Sequence, residues 1–120
     1  MEIAYLSYNC LEGIERTHYV FKHDEKGTPW LIRVTGNDLN TSPRKMASKE
    51  FIQSLTALIE QGDVFSYERV YEPAEAVCGG AIWELEVRCT NGPAVRSSGH
   101  AVMPPNSILE SLELLLKSYL

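Results

Sequence analysis

"AIWELEVRCTNGPAVRSSGH", residues 81–100, decides how this chain folds. Trp83, Leu85, Val87 and Cys89 alternate with Glu84, Glu86 and Arg88. Successive residues of an extended strand project to opposite sides, so this strand has one apolar face and one charged face. That pattern belongs to a sheet packed on one side and wet on the other. Asn91-Gly92 follows, two residues that tolerate positive φ and make a tight hairpin turn, so "AVRSSG" is predicted to return as the partner strand.

Outward from this hairpin, "HAVMPPN" is a connector: Gly99 lets the chain leave the sheet, and Pro104-Pro105 oppose an early helix start. "SILESLELLLKSYL" then reads as a helix, with Ser107 and Glu110 spaced as a capping box. Upstream, "SKEFIQSLTALIEQG" carries Phe51, Ile52, Leu55, Leu58 and Ile59 along one helical face, with Ser48 as N-cap and Gly62 just past the end. The terminal helix repeats that spacing at Ile108, Leu109, Leu112, Leu115 and Leu116.

Shorter runs complete the pattern. "IAYLSY" (3–8), "THYVFKH" (17–23), "PWLIRV" (29–34) and "VFSYERVY" (64–71) are predicted strands, with "DEKG" (24–27) as a hairpin turn and the polar run 36–44 as a loop. The prediction is a single α+β domain over residues 1–120. It has two layers: a mostly antiparallel sheet of five or six strands, with two amphipathic helices on one face. The matched helix stripes suggest two tandem β-hairpin-helix units after an N-terminal strand; two unrelated amphipathic helices would align equally well.

Composition narrows the functional classes. Hydrophobic residues make up 44% and charged residues 22%, as in ordinary soluble domains. Eleven Lys and Arg against sixteen Asp and Glu leave a formal charge of -5, which opposes binding to a phosphate backbone, so nucleic acid is a disfavoured partner. No apolar run approaches the roughly 18 residues of a membrane span, and the N-terminus does not read as a secretory signal, so no membrane association is expected. Cys10, Cys78 and Cys89 are an odd set without paired spacing, which suits a reducing, cytoplasmic setting better than a disulfide framework. They and His18, His23 and His100 form no recognised metal-ligand spacing. With no P-loop and no dinucleotide fingerprint, no cofactor is expected.

Three residues are candidates for catalysis. Cys78 precedes Gly79-Gly80, whose backbone N–H groups could approach a reacting carbonyl, with His18 or His100 as the base. The competing reading makes the glycines a bend and Cys78 a small hydrophobe. His100 lies beside Ser97 and Ser98, but no nucleophile-elbow motif surrounds either serine, and a structural role in the connector is the simpler account. The stronger lead is aromatic. Tyr5, Tyr8, Tyr19, Trp30, Tyr67 and Tyr71 sit on or near strands among charged residues, and exposed aromatics on an open sheet anchor partners, although core packing would also explain them.

The succession Gly79-Gly80, "IWELEV", Asn91-Gly92, "SSGHAVMPPN" and a leucine-rich terminal helix resembles a group of small bacterial proteins with no assigned chemistry. They share a tryptophan strand, an N/D-G turn, an S-G-x-A-x-x-P loop and a C-terminal helix. The resemblance covers about residues 77–120 and departs from the pattern at His100-Ala101, where a polar residue such as asparagine is expected before the alanine. It implies bacterial or phage origin and a fold motif, with no catalytic residue to carry over. The expectation is a non-catalytic protein-interaction module, binding a protein partner or a second copy of itself as a homodimer, of inhibitor or immunity type. The alternatives are a small enzyme using Cys78 with a histidine, and a small-ligand-sequestering protein with a pocket between the sheet and the loop at 36–44.

Overall fold

Asn91 adopts a φ of 54° and closes the 81–100 stretch into the predicted hairpin. Ile82–Cys89 and Ala94–His100 pair antiparallel, with Val87 opposite Val95 and Trp83 opposite Gly99. The computed structural model describes residues 1–75 and 79–120. Its strands are β1 (Ile3–Glu12), β2 (Glu15–His23), β3 (Pro29–Arg33), β4 (Arg44–Met46), β5 (Val70–Tyr71), β6 (Ile82–Cys89) and β7 (Ala94–His100). Helix α1 spans Lys49–Gln61 and α2 spans Leu109–Tyr119.

The strands form one sheet in the order β4-β3-β2-β1-β6-β7-β5. All pairs are antiparallel except β5 with β7. The fold is therefore α+β with a mostly antiparallel sheet, but of seven strands, where five or six were expected. The added strand is β4, where the end of the predicted loop turns back along β3. Arg33 N–H donates to the Pro43 carbonyl at 2.9 Å and Ala47 N–H to the Pro29 carbonyl at 3.0 Å. A three-residue strand carries no readable periodicity. The predicted strand at 64–71 shrinks to the two residues of β5. Asp63 takes the left-handed conformation (φ 48°), and Val64–Ser66 follow as a 3-10 turn that drops the Val64 side chain into the core. β1 runs past Tyr8 to Glu12, because the turn falls at Gly13 (φ 63°).

Helix α1 starts as predicted, with Ser48 Oγ accepting from Phe51 N–H at 3.1 Å. Gly62 has a different role from the one expected. Its φ is an ordinary -79°, and what requires glycine is space: a Cβ would lie 2.6 Å from Ile108 Cγ2. The predicted capping box of α2 does not form. The N-cap position falls on Ile108, which places Glu110 one position too early for the reciprocal bond, and Ser107 Oγ accepts instead from Leu109 N–H at 3.1 Å.

The later start of α2 also limits the helix repeat. Leu55 and Ile59 are buried like their counterparts Leu112 and Leu116. Phe51 is buried while Ile108 is only half-buried, since Ile108 precedes the helix. The two hairpins, β2-β3 and β6-β7, do flank β1 on either side, each followed by its helix.

Both helices cover the same sheet face. Leu6, Tyr8, Phe21, Leu31, Trp83, Leu85 and Val87 meet Phe51, Leu55, Ile59, Leu112 and Leu116 in one cluster. Trp83 sits at its β7 end, entirely buried, its indole N–H donating to the Val102 carbonyl at 2.9 Å. Gly99 lies opposite it in the ladder, where an added Cβ would fall 2.4 Å from Trp83 Nε1. Burial of these apolar side chains against two helices is the main source of stability, at about 25 cal/mol per Å² removed from water.

Candidate functional site: the open face of the sheet

The strand alternation that sends Tyr8, Trp83 and Leu85 inward sends their neighbours to the face that carries no helix. The registers arrange these neighbours in rows across the sheet. Val20, Ser7, Glu86 and Arg96 form one row, and His18, Asn9, Glu84 and Ser98 the next. Gly36, Asn37 and Leu39 rise along one side, and Arg69 and Val70 along the other. Between them lies an open trough of about 650 Å³.

The loop that forms the first wall is fixed by its own polar groups. Ser42 is buried; its hydroxyl donates to the Asp38 carbonyl at 2.8 Å and accepts from Thr35 N–H at 3.0 Å. Arg44 donates to the Leu39 carbonyl, and Asp38 caps the short 3-10 turn through Asn40 N–H at 2.9 Å. On the same face Val20 and Ile32, paired in the β2–β3 ladder, are buried outside the helix-covered cluster.

The trough floor is polar and unevenly committed. Glu86 is paired with Arg88 at 3.1 Å, and the Arg88 guanidinium also lies 4.1 Å above the Tyr5 ring. Arg16 donates to the Asn9 side-chain carbonyl at 3.2 Å. Among the described residues, Arg16, Arg69 and Arg96 have no carboxylate within 4.0 Å. His18 Nε2 is 3.4 Å from Ser7 Oγ, and its Nδ1 is buried without a hydrogen-bond partner. Burial holds its pKa below the usual 6.5, Arg16 adds to the effect, and Glu84 opposes both. The balance favours the neutral imidazole.

This Ser7–His18 pair lacks what nucleophilic catalysis requires. The contact is long, and no carboxylate bonds to Nδ1 to orient the ring. β1 is paired on both sides, which commits the surrounding backbone N–H groups to the ladders rather than to an oxyanion. The trough is equipped to hold charged and hydrogen-bonding groups.

The residues singled out from sequence fall in several places. His18 and Tyr5 line the trough. Tyr8 and Tyr19, expected as anchors on an exposed face, are each only 3% exposed and belong to the core, because their strand faces lie under the helices. Tyr67 and Tyr71 are half-buried and structural: their hydroxyls accept from Ile108 N–H and Glu68 N–H, and Tyr71 packs at 6.0 Å on Trp83. Trp30 lies on the outer face near the β4 edge, outside the trough, its indole N–H bound to Asp24 Oδ2 at 3.0 Å. His100 Nε2 sits 2.9 Å from the Gly79 carbonyl, bridging the end of β7 to the segment before β6. Cys78 lies outside the described residues. Cys10 is buried and Cys89 half-buried, and burial raises both thiol pKa values, which disfavours the thiolate.

Sequence reasoning passed over Ser7, Asn9, Arg16, Glu84, Arg69, Arg96 and Ser98. The signal for most of them was present in the alternation itself, since every buried position on β1, β6 and β7 implies a polar neighbour on the opposite face. Among the described residues no three His, Cys, Asp or Glu side chains converge as a metal site, and no helix is long and apolar enough to cross a membrane. No family model matches the chain, and no curated protein matches it.

Proposed function

We propose that the protein is a non-catalytic binding module that takes a segment of a protein partner in the trough on its open sheet face. The observation that supports this is the trough's construction: a polar floor across β2, β1, β6 and β7, walls on two sides, and arginines left without carboxylate partners. Small-molecule sites are mostly apolar and enclose nearly all of their ligand. This trough is polar and open above, which favours side chains presented by a larger partner.

An inhibitor- or immunity-type role in a bacterial or phage setting fits this reading, as does a reducing cytoplasm for the free thiols of Cys10 and Cys89. A second reading, sequestration of a small polar ligand, draws on the trough volume, which falls within the roughly 300–1,000 Å³ of such sites.

Selection of displayed random dodecapeptides on the full chain, with counter-selection against Ser98→Trp and Glu84→Lys, tests the proposal. Peptides should be enriched that bind the parent chain and neither variant, both variants remaining folded by circular dichroism. Enriched peptides that bind both variants as well as the parent would overturn it. So would the absence of any enrichment alongside thermal stabilisation by a panel of polar metabolites, which would favour the second reading.

A further inference from the structure

Deepening that reading, and resting on it, we infer that the partner segment is acidic: Arg69 and Arg96, flanking Ser98 on the β5–β7 side of the trough, form a carboxylate-binding subsite. Arg96 stands opposite Glu86 in the β6–β7 ladder and would ordinarily pair with it. Glu86 is instead held by Arg88, which is itself fixed over the Tyr5 ring. That arrangement leaves the Arg96 guanidinium free. Arg69 immediately precedes β5, its carbonyl accepting from Ser98 N–H at 3.0 Å, so the chain brings a second arginine without a carboxylate partner to the same side of the trough.

The contrast with the rest of the molecule gives the subsite its meaning. The whole chain carries a formal charge of -5, so its general surface repels acidic segments. Three arginines without carboxylate partners, Arg16, Arg69 and Arg96, line the trough, against one carboxylate outside any ion pair, that of Glu84. A planar guanidinium presents paired donors that match a carboxylate in a bidentate geometry, and two arginines along one side of the trough suit an acidic segment better than a neutral one. An extended segment places alternate side chains on one side, so glutamates at every second position would face the arginines together.

The test is an NMR titration of the full ¹⁵N-labelled chain at low salt in three arms: the acidic hexapeptide Ac-TEVEVE-NH2, its glutamine counterpart Ac-TQVQVQ-NH2, and sodium phosphate. The acidic peptide should move the resonances of Arg69, Arg96 and Ser98 and bind about ten-fold more tightly than the glutamine peptide, since charge-assisted bonds are roughly twice as strong as neutral ones. Its affinity should fall as salt is added. Arg69→Gln and Arg96→Gln should each weaken binding about three- to ten-fold with an unchanged melting temperature, while Lys45→Gln on the far edge should not.

Equal binding of the two peptides, no movement of these resonances by the acidic peptide, or insensitivity to both arginine variants would overturn the inference. Phosphate reproducing the pattern where the peptide does not would also overturn it, in favour of a phosphate site. Selected peptides that occupy the trough yet lack acidic residues would sink this subsite while leaving the binding module standing.

Discussion

Leu6, Tyr8 and Cys10 of β1 are buried beneath the helices, whereas Ser7 and Asn9, one residue away in the chain, line the open trough. The same holds on β6, where Trp83 and Leu85 point inward and Glu84 and Glu86 outward. On the inner face nearly every side chain packs and every exchange of volume is felt. On the outer face, beyond the buried Val20 and Ile32, polar groups are held in fixed rows by strands stabilised mainly from the other side. One set of strands thus separates stability from recognition by a period of two, and the two faces should respond differently to substitution.

The largest effect is expected at Trp83. Trp83→Ala should cost about 3–5 kcal/mol, read as a lowered urea midpoint, because it removes a fully buried indole and its bond to Val102. Gly99→Ala should cost about 1–3 kcal/mol without removing any atom, since the new methyl must displace that indole. A Gly99→Ala protein as stable as the parent would show that the indole is free to move, and would weaken the account of the inner face.

A smaller effect separates the two helix starts. Ser48→Ala should cost about 1 kcal/mol through loss of the bond to Phe51 N–H. Ser107→Ala should cost less, because the turn before α2 is also held by Tyr67, whose hydroxyl accepts from Ile108 N–H. Equal losses would mean that the two helices are capped alike.

His18 gives the outer face a pH signature. Its folded pKa lies below 6.5, so between that lowered value and 6.5 the unfolded chain holds more protons than the folded one. The stability tied to its neutral ring is present above pH 6.5 and is lost as pH falls through the folded pKa. Urea midpoints measured from pH 7.5 to pH 5 should fall more steeply for the parent than for His18→Gln. Parallel profiles would remove His18 from the pH dependence. The smallest effect belongs to Glu84→Gln and Arg96→Gln, each expected to change stability by no more than about 0.5 kcal/mol. A cost near that of a core substitution would break the division between the faces.

Much of this division was legible before any coordinates. The alternation at 83–89 identified both faces of β6, Asn91-Gly92 fixed the hairpin, and the stripe from Phe51 to Ile59 placed α1 with its Ser48 cap. β4 escaped notice because three residues have no period, and "VFSYERVY" misled because its apolar spacing resembles a strand while Asp63 turns the chain into a 3-10 turn. The aromatic lead failed for Tyr8 and Tyr19 through the same alternation that succeeded elsewhere. Which face of β1 is covered depends on where the helices dock, and no local signal carries that information. The trough itself joins β2, β1, β6 and β7 with a loop and the chain before β5, and it exists only once the strand order is known.

The most direct test of the separation is an NMR comparison of two side-chain probes during titration with a selected trough peptide. The Asn9 side-chain amide reports on the trough floor, and the Trp83 indole Nε1–H reports on the core beneath it. The account predicts a saturable shift of the Asn9 amide with the indole resonance unmoved. A shifting indole over a stationary Asn9 amide would contradict it.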